Sequence, residues 1–129
     1  NSNGGPGGNV FKLTRGTWAE EVLFNFPTNG RDGSDPQGGV VFDAKGNLYG
    51  TTETGGTYGE NCDGGCGTVF KLNHGTWKAE VMYKFTGGSD GGSPQAGLIV
   101  DAEGNLYGTA VNGGGGSGCS CGVVFEITP

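Results

Sequence analysis

A nine-residue run that returns almost unchanged constrains this chain more than any other feature. Val10-Phe11-Lys12-Leu13-Thr14-Arg15-Gly16-Thr17-Trp18 comes back 59 residues later as Val69-Phe70-Lys71-Leu72-Asn73-His74-Gly75-Thr76-Trp77. It begins a third time at Val124-Phe125-Glu126-Ile127-Thr128. Between the copies, Glu21-Val22-Leu23-Phe24-Asn25-Phe26 corresponds to Glu80-Val81-Met82-Tyr83-Lys84-Phe85, and residues 36–51 correspond to 94–109. Self-similarity at a fixed period means one supersecondary unit used repeatedly, each unit burying its apolar face against the next. The same period settles the meaning of the glycines. They number 31 of 129 residues, several times the usual share of roughly 7%. An aperiodic chain with that content would be disordered, but here most glycines recur between apolar runs.

Each period reads as four short strands, A (Gly39 to Asp43), B (Asn47 to Thr52), C (Thr68 to Leu72) and D (Trp77 to Phe85). All four are rich in Val, Leu, Phe, Tyr, Thr or Trp and are bounded by Gly, Asn or Asp. The A–B and C–D links are hairpin-sized, with Gly46 and Gly75 where a turn needs positive φ. No stretch has helical apolar spacing. The expectation is an all-β fold of about two four-stranded antiparallel β-propeller-like blades plus a surplus strand, with a β-sandwich as the alternative. Residues 1–8 are expected to be a flexible Gly-rich segment and 9–129 a single repeat domain, with repeat 1 at about 10–68, repeat 2 at about 69–123 and a third copy beginning at 124–129.

The string Gly39 to Thr52, Gly-Val-Val-Phe-Asp-Ala-Lys-Gly-Asn-Leu-Tyr-Gly-Thr-Thr, is followed after a Gly-rich loop by Cys66-Gly67-Thr68-Val69-Phe70-Lys71-Leu72. It resembles the GloVer tandem repeat of bacterial cell-surface and secreted proteins. More loosely, it is similar to the Asp-x-x-Gly-Asn motif of NHL-type propellers. The resemblance covers nearly the whole chain from Asn9 onward. It implies a surface or secreted location and blade-like units, and it brings no catalytic residues with it.

Charge excludes two classes of partner. Seven Lys and Arg against thirteen Asp and Glu give a formal charge of −6. With no basic cluster there is no electrostatic footprint for nucleic acid or for an anionic membrane surface. No apolar run is long enough to span a bilayer as a helix. Four cysteines in a chain with so little core point to an oxidising compartment, extracellular or at the cell surface. Cys62 and Cys66 lie in one B–C loop, Cys119 and Cys121 in the equivalent loop. Two intraloop disulfides are expected; cross-loop or intersubunit bonds and a four-thiolate zinc site are the alternatives. Zinc is the weaker of these because Cys-x-Cys breaks the usual ligand spacing.

Candidates for chemistry are few. His74 is the single histidine and replaces Arg15 of the first copy, so it reads as a solvated turn residue. With no second histidine, and with serines confined to Gly-rich loops, a Ser-His-Asp arrangement has no candidate geometry. Asp32, Asp35 and Asp90 sit in D–A loops, where oxygen ligands could hold Ca²⁺, but their spacing is not that of an EF-hand loop and Asx turns explain them. Asp43 and Asp101 open tight turns and read as turn formers. Trp18, Trp77, Tyr49, Tyr107, Phe11, Phe70 and Phe125 recur at matching positions, which points to packing between blades. Tyr58 alone is placed in a loop to offer a ligand contact.

Two blades are too few for a closed propeller, so open flanks and strand edges are expected to invite association. Val10, Phe11 and Leu13 compete with Val124, Phe125 and Ile127 for equivalent slots, a duplication that favours strand donation or swapping. The expected function is that of a non-enzymatic, secreted structural protein whose partner is itself, forming a filament or ring and needing no cofactor. The alternatives are a surface module that binds carbohydrate or another ligand through its long loops, and, for the open flanks, a fragment of a longer array of the same repeat.

Overall fold

A computed structural model describes residues 7–115 and 119–129. Nine strands follow one another without a helix among the described residues. In order they are β1 (Asn9–Leu13), β2 (Glu20–Asn25), β3 (Val41–Phe42), β4 (Leu48–Thr52), β5 (Thr68–Leu72), β6 (Ala79–Lys84), β7 (Ile99–Val100), β8 (Leu106–Ala110) and β9 (Val123–Ile127). They pair as three antiparallel meanders, β1-β2, β3-β4-β5-β6 and β7-β8-β9. The strands expected from the sequence are all present, although A and D are shorter than read. A covers only Val41–Phe42 and D ends at Lys84.

Their distribution corrects one expectation. Instead of two complete four-stranded units plus one strand, the chain contains sheets of two, four and three strands. The reason lies in packing. The first sheet covers one face of the central sheet and the third sheet covers the other, so β1-β2 and β7-β8-β9 cannot join into a single meander. Strand parity gives this directly, because successive side chains point to opposite faces. Phe70 and Leu72 of β5 cluster with Val10 and Phe26 of the first repeat. Val69, between them and the preceding turn, clusters with Leu98, Leu106 and Ala110 of the last.

The link between successive sheets is built alike each time. Asp35 N donates to Gly7 O and Glu53 N to Asp35 O, tying the first D–A loop to the sheets on both sides. Ser93 N donates to Cys66 O, and Val111 N to Ser93 O, at the second. Asp35 and Ser93 both take positive φ, 60° and 53°. Of the N-terminal segment read as flexible, residues 1–6 lie outside the described residues, whereas Gly7 and Gly8 accept hydrogen bonds from Asp35 N and Phe26 N. Where β3 approaches β7, a Cβ on Gly38 would stand 2.5 Å from Gly97 N, so glycine there permits the close contact.

The core is thin but polar groups within it are matched. Thr52 Oγ1 and Thr68 Oγ1 are 2.8 Å apart, and Thr52 Oγ1 also accepts from Thr68 N at 3.1 Å. In the third sheet the equivalent residues are Ala110 and Val123. Replacing both threonines together removes the hydroxyl pair without orphaning either hydroxyl, the inexpensive way to remove a buried side-chain hydrogen bond.

Candidate functional site

The repeat gives every sheet two chemically different faces, and the burial of those faces identifies the site. In β5, Val69 faces the third sheet and is 0% exposed, while Phe70 faces the first sheet and is 1% exposed. In β9 the parity is preserved. Phe125 and Ile127 pack inward, with Phe125 against Phe85 at a ring separation of 5.0 Å, so Val124, the counterpart of Val69, faces outward and is 81% exposed. In β1, Val10 packs inward, so Phe11, the counterpart of Phe70, faces outward and is 54% exposed.

Each outer flank extends beyond one residue. Phe11 pairs across the ladder with Val22, and Leu13 lies two residues along, so these three share a face, and all are exposed. On the opposite flank Ile99 is cross-strand to Tyr107 and Thr109 to Val124, which puts Ile99, Thr109 and Val124 on one exposed face. A third uncovered area lies on the central sheet, beside a first sheet of only two strands among the described residues. Val40 and Phe42, on the face of the central sheet that looks towards β1, are exposed, whereas their counterparts Leu98 and Val100 are buried and partly buried. These three apolar areas are the candidate site, since exposed apolar surface of this kind is where proteins commonly associate.

Val10, Phe11, Leu13, Val124, Phe125 and Ile127, the residues expected to be assembly strands, therefore divide into an inward set and an outward set. Val10, Phe125 and Ile127 already pack within the chain. Reading the sequence missed Val22, Val40, Phe42 and Ile99. Their alternation with inward residues was visible, but the chain does not state which face has a neighbour. The expectation of packing between units holds for Phe70, Tyr49, Phe125 and the partly buried Trp77. It does not hold for Phe11 and Trp18, which lie on the uncovered outer side of the first sheet.

The tight A–B turns are held by a repeated clamp. Asp43 Oδ1 accepts from Lys45 N and Asn47 N, both at 2.9 Å, and its Oδ2 accepts from Asn47 Nδ2 at 2.9 Å and Tyr49 Oη at 3.0 Å. Asp101 makes the same four contacts with Glu103, Asn105 and Tyr107. Partial desolvation pushes the Asp43 carboxyl up, but the hydrogen bonds from Asn47 and Tyr49 outweigh it and hold the group below the usual carboxylate range. Asp101 is lowered chiefly by the Asn105 amide. Desolvation and the hydrogen bond to Asp43 push the Tyr49 phenol up to about 12. Carboxylates spent on four donors each are turn formers, as the sequence indicates.

Asp90 is used similarly, accepting from Tyr83 Oη and Thr86 N at 2.9 Å and from the Thr86 hydroxyl. Asp35 accepts from Gln37 Nε2. Among the described residues no three His, Cys, Asp or Glu side chains gather to hold a metal. The cysteines pair within their loops, Cys62 with Cys66 and Cys119 with Cys121, which takes the thiols a zinc site would need. Cys66 is fully buried in the core shared by the central and third sheets. His74 donates its backbone N–H to Asn47 Oδ1 at 3.0 Å and stacks edge-on against Trp77. Tyr58 is 57% exposed, its hydroxyl lying over Gly30.

These features define a class, an all-β repeat protein in which one meander recurs and successive sheets bury unlike faces. The chain belongs to the Gloeobacter/Verrucomicrobia repeat family, whose pattern matches residues 1–129. This bears out the GloVer resemblance read from residues 39–72. No curated protein sequence matches the chain. No helix among the described residues is long and apolar enough to cross a membrane.

Proposed function

We propose that this protein is a non-enzymatic structural protein, secreted, whose sheets are propeller-like blades and whose copies self-associate through their open flanks into a filament or ring. One observation carries the reading. The faces exposed at the two flanks are built from the same residues, at the same strand positions, as the faces that meet inside the chain. A surface that the repeat buries twice and exposes once is shaped for another unit of the same kind. The two flanks differ from each other, so the contact joins unlike surfaces, and such contacts close into rings or grow into filaments.

The meander order of the strands, with β3 beside β7 at the inner end, supports blades over a two-sheet sandwich. Two disulfides support an oxidising compartment. The aspartates act as turn clamps, which supports a structural role over a catalytic one. A second reading, a carbohydrate-binding module, rests on the exposed ring of Tyr58. Negative-stain electron microscopy of the purified chain tests the first reading. Filaments or discrete rings are expected, and uniform single-chain particles at high concentration would overturn it. Retention on a glycan array that is lost in Tyr58→Ala would favour the second.

A further inference from the structure

Two strands of this chain, β1 and β9, fit one slot, and their charges differ. At the third position of the repeated run, Lys12 of β1 is cross-strand to Glu21 with Nζ–Oε2 at 3.3 Å, and Lys71 of β5 is cross-strand to Glu80. In β9 that position is Glu126. It stands opposite Tyr107, whose hydroxyl is 3.4 Å from Glu126 Oε1 and 3.0 Å from Asp101 Oδ2. A single phenolic proton thus serves two carboxylates of like charge. In the central sheet the equivalent tyrosine, Tyr49, is opposite Lys71. β9 is therefore the electrostatically poorer occupant of its place beside β8.

The outer side of β9 bears the same sign. Transfer of a D-type strand such as β2 onto β9, in the register that β6 keeps on β5, would set Glu21 against Glu126. Like charges directly opposite in a ladder are destabilising. Simple addition of β2 to the third sheet is disfavoured on this ground, although an open groove of about 340 Å³ lies between β6 and β9, lined by Tyr83, Phe85 and Val123.

We propose that copies join by strand exchange: the β1-β2 hairpin of one copy enters the third sheet of another as a unit, β1 pairing with β8 in place of β9. This deepens, and rests on, the reading that the chain self-associates. In the register of β4 on β5, Lys12 then lies opposite Tyr107 and Val10 opposite Thr109. The Lys12–Glu21 pair is kept, and a four-stranded meander, β7-β8-β1-β2, is completed. Three exposed areas become covered at once. Phe11 and Leu13 meet the central sheet of the accepting copy, as Phe70 and Leu72 meet the first sheet within one chain, and Val22 lies on the same face as Phe11. The exposed face of β7-β8 covers Val40 and Phe42 of the donating copy. Thr51 Oγ1 donates to Ala96 O across the equivalent contact, at 3.0 Å, and Thr109 Oγ1 would donate to Gly38 O.

The exchange is tested on the full chain by sedimentation velocity, with circular dichroism to confirm folding. All three substitutions fall on exposed side chains, so each variant is expected to fold. Phe11→Glu should raise the dissociation constant at least about tenfold, because it puts a charge into the new interface. Val124→Glu should leave it within about twofold, because β9 is displaced. Glu126→Lys should weaken association by about threefold, because it improves β9 as a competitor. Loss of association in Val124→Glu, or tighter association in Glu126→Lys, would overturn the exchange and favour docking with β9 in place. A wild-type chain that stays monomeric would instead overturn the underlying reading of self-association.

Discussion

The same valine and the same phenylalanine live in opposite environments at two places in this molecule. In the central strand β5, Val69 and Phe70 are both buried, one on each side of the sheet. In the terminal strands the pair is split. β1 buries its valine and exposes its phenylalanine, and β9 does the reverse. The three strands share length and residue pattern, although β5 is paired along both edges and β1 and β9 along one. What differs is the neighbour. Burial in a repeat protein belongs to the interface between units, and a repeat sequence encodes that interface whether or not the chain supplies both halves.

The comparison can be broken most sharply at the phenylalanines. In a monomeric sample, Phe70→Ala should cost about 4 kcal/mol and Phe11→Ala less than about 0.5 kcal/mol. Urea unfolding of the two variants side by side measures both, and equal costs would show that the first sheet is covered by something within the chain. The two disulfides give the next contrast. Removing Cys62–Cys66 with a double alanine substitution should cost about 3 kcal/mol, since it closes a loop and fills the core. Removing Cys119–Cys121, which is exposed, should cost about 1.5 kcal/mol from loop entropy alone. Thermal unfolding with and without reductant reports the combined effect.

Smaller effects sharpen the same point. Thr51→Val removes the hydrogen bond to Ala96 O and should cost about 1 kcal/mol, whereas Thr109→Val, at the exposed counterpart, should change unfolding by less than about 0.5 kcal/mol. The mildest contrast is with acid. Asp43 and Asp101 titrate below their usual range when folded, so their clamps contribute stability above the unfolded value of about 3.9, and lose it as pH falls through the lower folded value. The melting temperature should decline from about pH 4 downward, and Asp43→Asn should flatten that decline. Both turns are solvent-screened, so the slope should be shallow.

Much of this was legible in the sequence because the repeat is its own alignment. The spacing of 55 to 59 residues placed all nine strands, and Asp43 and Asp101 were recognisable as turn formers from their place before Gly46-Asn47 and Gly104-Asn105. The intraloop pairing of Cys62 with Cys66 followed from loop position. What the sequence left open was the grouping of strands into sheets. Counting C and D at the start and A, B and C at the end suggests one complete unit, and only packing on opposite faces of the central sheet separates them. For the same reason Phe11 and Trp18 were read as packed. A strand's alternation shows that it has two faces, but not which of them another strand will reach. Val40 and Phe42 were overlooked because their exposure depends on strands absent from the first sheet, not on anything in residues 40–42.

Multi-angle light scattering of the wild-type chain over a wide concentration range tests the central claim most directly, that the open flanks are interfaces for a second copy. The mass should rise with concentration from that of one chain to a fixed multiple or to a growing polymer. A mass that stays at one chain throughout, with Phe11 still solvent-accessible, would contradict the account.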